Sequence, residues 1–150
     1  MASLEVNLSG HDDLIKLLNS LETDDASRVR IINASAVPLE HALKNESTRH
    51  NRPGAMAGSI KPTDPKKGKY GDYYTVIRAT GKDDYTIDSR GNLRRRKKPV
   101  RNMAKMAYVQ YGTKHMTRDP IIERAVEESR NAVYSAMQSE YDAIINENGG

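Results

Sequence analysis

From Asp119 onward the sequence carries one long amphipathic pattern, and nothing else in it limits the fold so strongly. Ile122, Val126, Val133, Met137, Tyr141 and Ile144 recur at spacings of three, four and seven, which is one face of a helix. Asp119 is placed to cap that helix. Pro120 falls at its first turn, where a missing N–H costs nothing. About 27 residues of helix would be roughly 40 Å long, a long element for a chain of 150 residues. Val126, Val133 and Met137 are expected to face β-strands, and Gly149-Gly150 ends the pattern.

The material for covering that stripe is lean. Only 37% of the residues are apolar, Phe and Trp are absent, and eight Tyr with the aliphatics must do the packing. A monomer of this size buries roughly two thirds of its unfolded surface, so a core this thin favours a domain stabilised partly by neighbours. A lean α+β monomer is the alternative. The absence of Cys excludes a disulfide framework, a thiolate zinc site and a thiol nucleophile. No apolar run approaches the ~18 residues of a membrane span, and the first residues lack the pattern of a signal peptide. The expectation is a soluble protein made in a cytoplasm, without membrane contact.

Ahead of the long helix the periodicities are shorter. Leu4, Val6 and Leu8 alternate as in a strand, and Leu14, Leu17, Leu18 and Leu21 share a helical face. Thr23, followed by Asp24 and Asp25, signals the next helix start. Val29, Ile32, Ala36, Leu39 and Leu43 carry that helix to about Ser47, with a kink or break expected at Pro38. Residues 50–69 are rich in Pro and Gly and predict a loop with one short ordered piece, 56–60. Residues 70–80 and 103–113 predict strands, and the polar segment 81–99 predicts an excursion or disordered loop between them. The sum is a single α+β domain over 1–150. A small antiparallel β-sheet packs against a long C-terminal helix and one or two N-terminal helices, with a basic loop insertion at about 81–100.

Catalytic patterns are missing. His11, His41, His50 and His115 lie on separate elements, and none shares a helical face with a second His and a carboxylate. Asp12 and Asp13 in "GHDD" suit a helix start better than a metal. "RPGAMAGSI" lacks the lysine and the flanking elements of a phosphate loop. No catalytic, cofactor or metal residue is expected, and no hydrolase or transferase activity. A pocket gathering His50, His115 and a carboxylate would revive an enzyme reading.

Charge is the strongest remaining signal. The net charge is +4, yet eight Lys or Arg and no acid lie between Arg90 and Lys105, while the segment after Asp119 is acidic. Arg94, Arg95, Arg96, Lys97, Lys98 and Arg101 form the dense run, and Lys114, His115 and Arg118 a second cationic stretch. Such a run neutralises phosphates without reading sequence, so a small nucleic-acid-binding protein using residues 94–98 is one reading. Against it, the run has no interleaved aromatic, contains Pro99 and shows no helical periodicity. A solvated loop or an electrostatic docking strip is the simpler reading.

The order of elements and three short motifs resemble the head–tail joining family of tailed phages, also described as tail-completion or neck proteins. The motifs are Gly54-Ala55-Met56-Ala57-Gly58-Ser59-Ile60, Ala107-Tyr108-Val109-Gln110-Tyr111-Gly112-Thr113, and Arg118-Asp119-Pro120-Ile121-Ile122 with Ala125 following. The chain departs from the family pattern where Asp119 precedes Pro120, where Ile121 replaces an aromatic, and where Pro53 and Met56 replace a Thr and a Leu. The resemblance implies a non-enzymatic virion protein that forms a homo-oligomeric ring, expected as a hexamer, around the DNA channel of the neck. Its implied partners are the head-closure or connector protein and the tail terminator, and it would be made in the host bacterial cytoplasm. Gly54, Ser59, Ile60, Tyr108, Tyr111, Gly112, Thr113 and Pro120 would be structural. Arg94, Arg95, Arg96, Lys97, Lys98, Arg101, Lys114, His115 and Arg118 would face a partner or DNA. In this picture Tyr108 to Thr113 is a strand reaching the subunit edge, where ring contacts are heterologous.

Overall fold

The computed structural model describes residues 25–50 and 56–148. The strand expected at 4–8, the helix at 14–21, the cap at Thr23 and the motif residue Gly54 lie outside the described residues.

Helix α1, Asp25–Ser47, forms where the periodicity places it and buries Ile31, Ala36, Ala42 and Leu43. It runs through Pro38 without the expected break. Proline inside a helix costs about 3 kcal/mol, and packing on both flanks offsets this: Ile31 lies in one apolar cluster and Leu43 in another. A 3-10 turn, Thr48–His50, extends the helix.

The segment that follows is more ordered than a loop. Ala57–Ser59 is a 3-10 turn closed by the Ser59 hydroxyl, which donates to the Met56 carbonyl at 2.7 Å. Four short strands come next: β1 Ile60–Pro62, β2 Lys66–Lys67, β3 Tyr73–Tyr74 and β4 Ile77–Ala79. β1 pairs with β4 and β2 with β3, both antiparallel, so they form one interrupted ribbon. The expected single strand over 70–80 is therefore two. Pro62 faces Ile77 and Lys66 faces Tyr74, which leaves Thr63, Asp64 and Pro65 opposite Thr75 and Val76. The extra residue and the proline without an N–H make a bulge there. Thr63 closes it, accepting from the Val76 N–H on its hydroxyl and from the Thr75 hydroxyl on its carbonyl.

The basic segment is the second correction. It is a β-hairpin, β5 Lys82–Ile87 with β6 Leu93–Arg101, and not a loop excursion. Asp88 makes the turn: its carboxylate accepts from the N–H groups of Arg90 and Asn92, and Gly91 has φ +82°. Asp83 faces Val100 and Tyr85 faces Arg95, so Arg96, Lys97, Lys98 and Pro99 stand opposite Asp84 alone. Crowded like charges and Pro99 are thus accommodated as a bulge in β6.

The third correction is α2, Asn102–Tyr111, in place of the strand expected at 103–113. Asn102, Met106 and Val109 are buried at spacings of four and three, which only a helix aligns on one face. Ala, Met, Lys and Gln in this segment are good helix formers, and the β-leaning Tyr108, Val109 and Tyr111 are outnumbered. Tyr108 to Thr113 is therefore a helix end and not an edge strand. Gly112 terminates it with φ +77°, and its N–H donates to the Tyr108 carbonyl.

Helix α3, Ile121–Asn148, is as long as its pattern implies. It lies antiparallel to α1: Ile31 near the start of α1 packs with Tyr141 and Ile144, while Leu43 near its end shares a cluster with Ile121 and Ala125. The larger cluster joins Leu43, Met56, Ile60, Ala79, Met106, Val109, Ile121 and Ala125, so both helices, α2 and the first ribbon meet there. The architecture is α+β with small antiparallel sheets. The expected stripe on α3 needs rephasing in its first half. The buried line is Ile121, Ala125 and Ser129, whereas Val126 is 42% exposed. Small residues let the helices approach closely, and the larger Val126 and Val133 border an apolar groove beside Tyr73 and Tyr74. Met137 packs on the Ile31 cluster. Among the described residues no helix is long and apolar enough to cross a membrane.

Candidate functional site

The cationic residues divide by what holds them. The Arg94 guanidinium reaches Asp88 at 2.7 Å and helps close the hairpin turn. Arg96, at the bulge, donates from Nε to the Tyr85 carbonyl at 2.8 Å. Arg95, Lys97, Lys98 and Arg101 are exposed, and none of their side chains has a hydrogen-bond or ion-pair partner among the described residues. The hairpin is anchored through Asp83, which is 4% exposed and paired with Lys105 of α2. Burial pushes the Asp83 carboxyl up, but the Lys105 ammonium and the Tyr85 N–H outweigh it and hold the carboxyl below its usual range.

Lys114, His115 and Arg118 lie apart from this hairpin in sequence and in role. Thr113 to Met116 is a tight turn in which Thr113 N–H donates to the Met116 carbonyl. His115 and Lys114 are exposed on it, and Arg118 pairs with Glu123 at 2.5 Å.

The structural motif residues converge. Ile60 is fully buried, and the Ser59 carbonyl accepts from both the N–H and the hydroxyl of Thr80. The Val109 carbonyl accepts from the Asp119 N–H, and the Gln110 side chain accepts from the Ile122 N–H. Pro120 directly precedes α3, and Arg124 N–H donates to its carbonyl. Tyr108 and Tyr111 project outward, 51% and 74% exposed.

Two further groupings escaped the sequence. One is a charged chain joining both ends of the fold. Arg124 of α3 reaches Glu46 at 2.7 Å and Asp119 at 2.5 Å, and His50 Nε2 meets the other Asp119 oxygen at 2.6 Å. Arg124 first, and His50 second, draw the Asp119 carboxyl down to about 2. Asp119 was expected only to cap α3. Its carboxylate instead ties Arg124 of the first turn to His50.

The other grouping is a cavity of about 460 Å³ walled by Arg49, His50, Arg96, Lys105 and Tyr108 over Met56, Val109 and Met116. Of the residues singled out by the sequence it brings together Arg96 and Tyr108, and adds Arg49 and Lys105. Once 102–111 is read as a helix, Lys105 and Tyr108 lie three apart on one face, which is the signal that a strand reading hides. His50 pairs with Asp119, which lies outside the cavity wall, and His115 does not line the cavity. Among the described residues no group of three or more His, Asp or Glu could hold a metal ion. No family model, curated protein or solved structure matches the chain.

Proposed function

We propose that this chain is a structural subunit of a tailed-phage neck, a ring-forming protein that joins tail to head around the DNA channel, with a hexamer as the expected ring. One observation carries the reading. The three segments on which the resemblance rests, distant in sequence, pack into one cluster: Met56 and Ile60, Val109, and Ile121 with Ala125. Gly112 turns the chain between the second and third at φ +77°, where a side-chain Cβ would come within 2.9 Å of the Arg118 nitrogen. Residues so placed make one structural signature.

The surface supports assembly. Met103, Tyr108 and Tyr111 on α2, and Tyr85, Ile87 and Leu93 on the hairpin, are each between 46% and 74% exposed. A chain with few bulky residues that leaves this many outside has apolar area for neighbours to cover. The unpaired cations of β6 then form the strip that meets an acidic partner or the DNA channel.

A free nucleic-acid-binding protein is the second reading, and the hairpin favours it in one respect. A two-stranded ribbon is an element that enters a major groove, which answers the objection that residues 94–98 lack helical periodicity.

Replacing Arg95, Lys97 and Lys98 by Ser separates the two, since none of these side chains holds the fold. For a neck subunit, particles carrying the variant contain heads and tails that fail to join or that leak DNA, seen by electron microscopy. The isolated wild type binds duplex DNA weakly at physiological salt. Tight binding by the isolated wild type, with a steep salt slope from released counterions and normal particle joining in the variant, would overturn the neck reading.

A further inference from the structure

We infer that the cavity between the β5–β6 hairpin, α2 and the 3-10 turn after α1 is a nucleotide site, taking a phosphate ester on a planar base. This does not rest on the neck reading, and either can fail without the other.

Its walls divide by chemistry. Met56 and Val109, 2% and 6% exposed, give an apolar floor, with Met116 beside them. Arg49, Arg96 and Lys105 supply cations, and none of the described residues that line the cavity is acidic, although Glu46 and Asp83 pair with Arg49 and Lys105 from outside it. A volume of about 460 Å³ falls in the range of small-molecule sites, roughly 300–1,000 Å³.

The polar groups are also held in place from behind. Lys105 is gripped by buried Asp83, Arg96 by the Tyr85 carbonyl, and His50 by Asp119. Pinning of this kind lowers the entropy lost when a ligand binds, which distinguishes a site from a patch of mobile surface lysines. Arg96 uses only Nε in that contact, so the terminal nitrogens of its planar fork remain for phosphate oxygens. Tyr108 is 51% exposed at the rim, and its hydroxyl has no partner among the described residues. An exposed tyrosine ring beside an apolar floor is a stacking surface for a base. A bare phosphate would leave the floor unused, and an uncharged base would leave the cations unused.

The test is calorimetric titration of the full chain with deoxyadenosine monophosphate, inorganic phosphate and deoxyadenosine. The nucleotide is expected to bind saturably and about tenfold or more tightly than either fragment, since it alone makes both sets of contacts. Arg96→Gln should weaken nucleotide binding by about tenfold. Tyr108→Ala should weaken the nucleotide but leave phosphate unchanged, and Lys61→Ser, exposed on β1 and outside the cavity wall, should change nothing. Both Arg96 and Tyr108 are at least partly exposed, and circular dichroism confirms that the variants fold. A single-stranded oligonucleotide identifies the source: tighter binding than the mononucleotide assigns a strand, and equal or weaker binding a free nucleotide. No binding at millimolar nucleotide, equal affinity for phosphate and nucleotide, or indifference to Arg96→Gln would overturn the proposal. So would Arg96-dependent binding of a glutamate-rich peptide without nucleotide binding, which reassigns the cavity to an acidic partner.

Discussion

Replacing Asp119 by Asn discharges the centre of the chain Glu46–Arg124–Asp119–His50, which ties the end of α1 to the start of α3. The Asp119 carboxyl is drawn from an ordinary 3.8 to about 2. At 1.36 kcal/mol per pH unit, that difference corresponds to at most about 2.5 kcal/mol of folding free energy. Asp119 and Arg124 keep 26% and 37% of their side-chain surface in solvent, so screening reduces the figure to about 1–2 kcal/mol. For a chain of this size that is a melting shift of roughly 2–8 °C. The sign follows from the lowered pKa. The folded state holds the charged form better than the unfolded state does, so the contribution is complete above about pH 4 and fades as pH falls through about 2. Urea unfolding of wild type and Asp119→Asn across this range reads the gap between them directly, and other carboxylates cancel in the difference. A gap below about 0.3 kcal/mol at neutral pH, or one that does not narrow on acidification, would refute the assignment of this stability to Asp119.

Gly112→Ala should cost about 2 kcal/mol or more in urea unfolding, because a Cβ at φ +77° would also lie 2.9 Å from the Arg118 nitrogen. Ala125→Asp should abolish folding, since the position is fully buried in the larger cluster, whereas Val126→Asp should remain soluble and lose only about 1 kcal/mol. Thermal melts of the pair check the phase of α3, and equal damage from both would count against it. Tyr141→Phe should melt within a few degrees of wild type or above it. The buried hydroxyl has no protein partner among the described residues, and burial pushes its pKa up. A loss of more than about 2 kcal/mol would mean that the hydroxyl is bonded.

What the sequence determined by itself is what local periodicity carries. Helix α1 and helix α3 were legible because each repeats apolar residues over many turns, and a long repeat outvotes single exceptions such as Pro38. Gly112, the Pro-led start of α3 and the short ordered piece near Ser59 were legible too, since turn chemistry is local. The density of cations over residues 94–98 was plain, as was the lack of any contiguous catalytic motif.

Tertiary structure decided the rest wherever local preferences were balanced. Residues 102–111 mix helix formers with Tyr and Val, and no neighbour in sequence settles the matter. A helix prevails because Asn102, Met106 and Val109 must share one face, with Met106 and Val109 meeting Leu43, Ile60 and Ile121. The line of α3 that faces α1 belongs to Ala125 and Ser129, whose value is their smallness, and a hydrophobicity pattern cannot see a close approach between helices. A run of five cations argues locally against a strand, yet β6 forms because the Asp88 turn sets its register and the bulge absorbs the crowding. The cavity lay furthest from view. Arg49 and Arg96 stand on different elements 47 positions apart, and only the packing of α1, α2 and the hairpin brings their charges to one place.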